Sequence, residues 1–85
     1  MLSPVYPNPV RGRISFTVTL GQAARIKVSL HDVTGRVVGK LADKWLAAGV
    51  HDFSWEREQE FAAGIYYLRL SVDGLEQARK FVMLK

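Results

Sequence analysis

The chain has no cysteine in its 85 residues. That excludes disulfides and thiolate metal sites, and neither fixes nor excludes an oxidising compartment. No run approaches the ~18 apolar residues of a membrane span, and no basic–apolar leader opens the chain. There are only two histidines, His31 and His51, and no glycine-rich phosphate loop or nucleophile elbow. Metal, nucleotide and hydrolase chemistry therefore have little to stand on. What is present is an ordinary globular composition, 48% hydrophobic and 24% charged, with a net charge of +4. It is enough for one domain, expected over 1–85, with a modest core. The positive balance suits a solvated basic surface or attraction to anionic partners.

Alternation with period two dominates. Ile14, Phe16, Val18 and Leu20 share one face, against Arg13, Ser15, Thr17 and Thr19 on the other. Ile26, Val28 and Leu30 repeat the pattern against Arg25, Lys27, Ser29 and His31. These are half-buried strands with one wet face, and Gly21-Gln22 separates them at hairpin spacing. Val33 to Arg36 reads as a turn and Val37 to Leu41 as a short strand. Leu41 to Ala48 has helical propensity but is too short to stand alone, so extended structure with a loop at 47–49 is expected. Val50 to Trp55 and Ile65 to Val72 are strands, and Asp73-Gly74 is a tight hairpin signal. Residues 56–60 read as a charged connection with room for one helical turn. Gln77 to Lys85 is the last strand. Six or seven short strands with regular turns predict an all-β antiparallel sandwich. Its core is expected to contain Phe16, Val18, Ile26, Val28, Leu30, Phe53, Trp55, Tyr66, Leu68 and Leu70.

Candidate chemistry is thin. His31-Asp32 and His51-Asp52 resemble dyads, but neighbouring strand residues point to opposite faces. Both histidines are expected at the surface or rim. Glu56, Glu58 and Glu60 lack the Asp, Asn and Gly of a calcium loop. No catalytic, metal or cofactor residue is expected. Trp45, Tyr67 and Tyr6 could stack on sugars if exposed together. Arg25, Lys27, Arg69, Arg79 and Lys80 could gather on one face, although no nucleic-acid motif accompanies them.

The two ends are more distinctive. Tyr6-Pro7-Asn8-Pro9 forms a stiff, extended lead-in over 1–9 to a sandwich over 10–85. The far end, Lys80-Phe81-Val82-Met83-Leu84-Lys85, is apolar on both faces and closes inside a sheet. It is either a strand between two layers or an apolar strip that a partner reads at a sheet edge.

Taken in order, five segments resemble the C-terminal sorting domain of bacterial type IX secretion substrates, a relative of the immunoglobulin-like domain of the flagellar hook-capping protein. They are Tyr6-Pro7-Asn8-Pro9; the Asp32–Val37 turn with Gly35; Leu46–Gly49 with Phe53–Trp55, a middle hairpin; Ala63–Leu70 with Gly64 and Tyr66; and Lys80–Lys85. The resemblance implies a seven-stranded antiparallel immunoglobulin-like β-sandwich without enzymatic activity. It also implies a sorting and anchoring role for a secreted multidomain cargo, often a hydrolase. The partners implied are an outer-membrane translocon, a sortase-like peptidase and the upstream cargo, and the location is the exterior or cell surface, reached through the periplasm. A monomer without nucleic acid or a membrane span is expected. The alternative is an accessory carbohydrate-binding module of a glycoside hydrolase.

Overall fold

A computed structural model of the chain describes residues 1–56 and 61–84. Its strands are β1 (Arg13–Leu20), β2 (Ala24–Asp32), β3 (Val37–Leu46), β4 (Gly49–Glu56), β5 (Gly64–Val72) and β6 (Leu75–Met83). They form two antiparallel sheets, one of order β1-β4 and one of order β3-β2-β5-β6. The strands number six among the described residues, not seven. The N-terminal residues supply only bridges, Leu2 to Val18, Tyr6 to Ser15 and Val10 to Met83. Pro4, Pro7 and Pro9 have no N–H to donate, so this segment cannot run as a continuous strand. It is also bent rather than extended, with cis peptides at Tyr6-Pro7 and Asn8-Pro9.

Two expected hairpins are crossovers. Gly21-Gln22 does not join paired strands: β1 pairs with β4, and β2 with β3 and β5. A β1–β2 hairpin would put both apolar faces in one layer with nothing opposite. Crossing between sheets gives each face a layer to pack against. Leu46–Gly49 makes a second crossover, from β3 in one sheet to β4 in the other. The segment 41–46 is extended, as part of β3. The Asp73-Gly74 hairpin is present: Val72 faces Leu75, and both turn residues have positive φ, 49° and 80°. That pair of conformations matches the twist of the flanking strands.

One apolar cluster lies between the sheets. Eight of the ten expected core residues are buried, whereas Phe53 and Trp55 are half-buried against the cluster. Both stand on β4, whose only partner among the described residues is β1, so its inner side chains sit at the open margin. There Phe16 stacks on Phe53 at 5.2 Å, and the Lys44 ammonium covers the Phe53 ring at 5.5 Å. The core also takes in Leu2, Val5, Val10, Phe61, Phe81 and Met83. Residues 1–9 are thus packed against the sheets rather than leading into them. An aromatic row Trp55–Phe61–Tyr66–Phe81, with centroids about 6 Å apart, connects β4 of one sheet to β5 and β6 of the other. Of the charged connection expected over 56–60, Glu56 ends β4 and residues 57–60 lie outside those described.

Candidate recognition site

β6 is an edge strand in the strand order, yet its far end is not a free edge. Val10 N–H donates to the Val82 carbonyl at 2.8 Å, and Leu84 N–H donates to the Val10 carbonyl at 2.7 Å. Val82 N–H donates to Asn8 Oδ1 at 3.1 Å. The backbone groups of Val82 are therefore satisfied on the side facing away from β5. Asn8, between two prolines that cannot donate, contributes an acceptor through its side chain. Further along β6 the roles reverse, and side chains of the strand grip the N-terminal backbone. Gln77 Oε1 accepts from Leu2 N–H at 2.7 Å, and the Arg79 guanidinium donates twice to the Leu2 carbonyl, at 3.1 and 2.8 Å. Leu2 is fully buried, so these bonds satisfy a peptide that water does not reach.

This arrangement corrects the expectation for Lys80 to Lys85. Phe81 and Met83 are core residues, each 1% exposed, and Val82 and Lys80 are exposed on the opposite face. The strand is buried on one face only, neither sandwiched between layers nor presented as a free apolar strip. Leu84 is half-buried, and Lys85 lies outside the described residues.

The family-like motifs converge on the same end of the four-stranded sheet. Asp32 faces Tyr66 across β2 and β5, and Gly64 faces Met83 across β5 and β6. Asp32 Oδ1 organises the β2–β3 turn, accepting from Thr34 N–H at 2.9 Å, Thr34 Oγ1 at 2.6 Å and Arg36 N–H at 3.1 Å. The Thr34 hydroxyl is the main cause holding the Asp32 carboxyl below its usual range; partial burial opposes it, and the Arg36 and Thr34 amides and the Arg36 charge assist. Gly35 supplies the positive φ of 90° that closes this turn. The Tyr66 hydroxyl donates to the Ala62 carbonyl at 2.6 Å. Tyr6, Pro7, Asn8 and Pro9 are exposed at the junction. Gly49 lies at the other end, opposite Leu20.

His31 is buried, at 7% exposure, against the expectation of a surface position. The ring stays on the Ser29 side of β2 and is held beneath the β2–β3 turn, where both nitrogens find partners, Ser29 Oγ at 2.9 Å and the Gly35 carbonyl at 3.1 Å. His51 is half-buried near the rim and bonds the Ala47 carbonyl at 2.7 Å. No group of three acidic or histidine side chains gathers to hold a metal among the described residues, and Glu58 and Glu60 fall outside them. Trp45, Tyr67 and Tyr6 do not align. Trp45 faces Arg25 near one end of β2, Tyr67 faces His31 near the other, and Tyr6 bridges to β1 in the other sheet. Of the five basic residues expected to gather, Arg25, Lys27, Arg69 and Lys80 share the outer face of the four-stranded sheet. Arg79 alternates inward to Leu2.

Asn8, Val10, Gln77 and Arg79 form the junction, and their role was not read from the sequence. One signal was available. Gln77 and Arg79 alternate onto the same face as Phe81 and Met83, and polar side chains on an inward face need partners there.

Fold and site define an all-β module that offers a stitched terminal strand and a broad sheet face, with no metal-binding cluster among the described residues. The chain belongs to the secretion system C-terminal sorting domain family, whose model matches residues 4–84. It is thus a sorting signal of the type IX secretion class. No curated protein matches it. Among solved structures it is similar to the Pseudomonas fluorescens alkylpurine DNA glycosylase AlkC bound to DNA containing an abasic site analog. Identity there is 19% and the TM-score 0.51, and the match covers 99% of this chain but 30% of the glycosylase. At that identity the likeness concerns fold alone. No helix is long and apolar enough to cross a membrane among the described residues.

Proposed function

We propose that residues 1–85 are a single non-catalytic sorting module, an immunoglobulin-like β-sandwich. It directs an attached multidomain cargo, such as a hydrolase, through the outer-membrane translocon to the cell surface or exterior. A sortase-like peptidase and the cargo domain are its other partners. The observation that carries this reading is the match over 4–84 together with the junction at its two ends, where Asn8 and Val10 hold the edge of Val82 and Leu84. The Tyr66–Ala62 bond supports the immunoglobulin-like reading, since a tyrosine bonded to backbone a few residues upstream marks such sandwiches.

Recognition is assigned to the outer side of β6. Lys80 and Val82 meet the partner, with Leu84 and Lys85 beyond them, while Phe81 and Met83 anchor the strand from within. A partner adding its own strand at Val82–Leu84 would first have to displace Val10, so reading the face is the less costly route. A reporter enzyme fused ahead of the chain should reach the surface of a type IX-competent host, whereas the unfused reporter stays in the periplasm. Equal distribution of the two would remove the sorting role.

A further inference from the structure

The outer face of the four-stranded sheet is unlike the rest of the surface. It presents Arg25, Lys27, Lys40, Arg69 and Lys80 against two carboxylates, Asp43 and Glu76. Those two acids are engaged, Asp43 with Arg25 at 2.8 Å and Glu76 with Arg69 at 3.8 Å. Lys27, Lys40 and Lys80 have no ion-pair partner among the described residues. Register shifts in the β2–β3 pairing open a depression of about 520 Å³ on this face, lined by Lys27, Ser29, Val37, Lys40, Leu41, Ala42 and Asp43. Beside the cations stand exposed aliphatic side chains. Val37 is 47% exposed, and Ile65 and Val82, paired across β5 and β6, are 42% and 37% exposed. On β1 and β4 the outward positions hold Ser15, Thr17, Thr19, Asp52 and Ser54 with one exposed aliphatic side chain, Val50, and a cation already engaged, Arg13 with Glu56 at 3.3 Å.

We infer that this whole face, from the β2–β3 depression to the outer side of β6, is a docking surface for a protein partner that presents carboxylates around apolar side chains. The inference rests on the sorting reading above and extends it from β6 to β2, β3 and β5. Charge complementarity gives the sign: three unpaired ammonium groups attract acid and set orientation. The aliphatic residues decide the class. A phosphorylated or carboxylated polysaccharide would gain from the lysines and gain nothing from Val37, Ile65 and Val82. A protein interface combines apolar centres with basic rims.

The test uses the reporter fusion in a type IX-competent host, with two double variants that leave residues 80–85 untouched. Lys27→Glu with Lys40→Glu reverses the depression's rim, and Val37→Thr with Ile65→Thr removes aliphatic surface while keeping β-branched residues in the strands. Both sets are exposed, so melting temperatures should match wild type. Each variant should lower surface delivery by about tenfold or more. Delivery of both folded variants at the wild-type level overturns the inference. So does loss with the lysine pair alone, joined to salt-sensitive retention of the wild-type chain on heparin or polygalacturonate, which would assign the face to a polyanion. If the wild-type fusion itself is not delivered, the sorting reading fails, a result separate from either.

Discussion

β3 and β6 are the two edge strands of one sheet, and they are finished in opposite ways. β6 alternates cleanly near its end, with Phe81 and Met83 inward, and its outer backbone is taken up by Asn8 and Val10. β3 has no fully buried residue, is shifted twice in register against β2, and has no comparable strap among the described residues. The contrast teaches where specificity of folding is concentrated. An unprotected edge invites pairing with other chains. β3 meets that hazard with bulges and with Lys40, Asp43 and Lys44, whereas β6 meets it with a dedicated segment of its own chain. The family-like motifs Tyr6–Pro9 and Gly64–Tyr66, and the described part of the last one, Lys80–Leu84, gather around the strapped edge rather than the bulged one.

Substitutions can break this contrast. The largest effect is expected inside β6. Phe81→Ala should cost about 3–5 kcal/mol in denaturant melts, since Phe81 is fully buried and stacked on Tyr66. Trp45→Ala on β3, 65% exposed, should stay within about 0.5 kcal/mol. Equal costs would erase the difference between the edges. Next comes Tyr66→Phe, which leaves the stacking row intact and removes only the bond to Ala62, for about 1 kcal/mol by the same melts.

Asn8→Ala tests the strap. It should cost on the order of 0.5–1.5 kcal/mol and speed amide exchange at Val82 and Leu84 relative to β2 amides. Unchanged protection there would mean that Val10 alone closes the edge. The smallest effect belongs to Asp32, in the turn that leads into β3. Its carboxyl is held below the ordinary value of 3.8, chiefly by the Thr34 hydroxyl. A depressed carboxyl stabilises the fold above its unfolded value, and that contribution fades as pH falls through the folded value. Asp32→Asn should therefore lower the melting temperature slightly at neutral pH and flatten its decline in acid. An identical acid slope in both chains would show that Asp32 does not contribute to it.

Much of this was legible in the sequence wherever one local rule decided the outcome. β1 and β2 alternate without a break, so their buried faces could be read directly, and Asp73-Gly74 permits little besides a tight turn. Pairing was not legible. Ile14 to Leu20 fits β2 or β4 equally well by pattern, and only the demand for an opposing layer selects β4. His31 was misplaced because the β2–β3 turn folds back onto its ring through the Gly35 carbonyl, a contact that alternation alone does not announce. Leu2, Val5 and Val10 were missed because prolines around them read as a linker, while their burial depends on β1 and β6, far away in sequence. The site was half legible. The last strand and the Tyr-Pro-Asn-Pro motif stood out separately, but nothing local links Asn8 to Val82.

The central claim is that a partner reads the outer side of a folded β6. Lys80→Glu with Lys85→Glu tests it most directly, because it reverses the charge at this end of the chain while Lys80 stands exposed on the face opposite Phe81 and Met83. Surface delivery of the fused reporter should fall sharply and the reporter should collect in the periplasm, with the melt of the chain unchanged. Delivery at the wild-type level by that folded variant would contradict the claim.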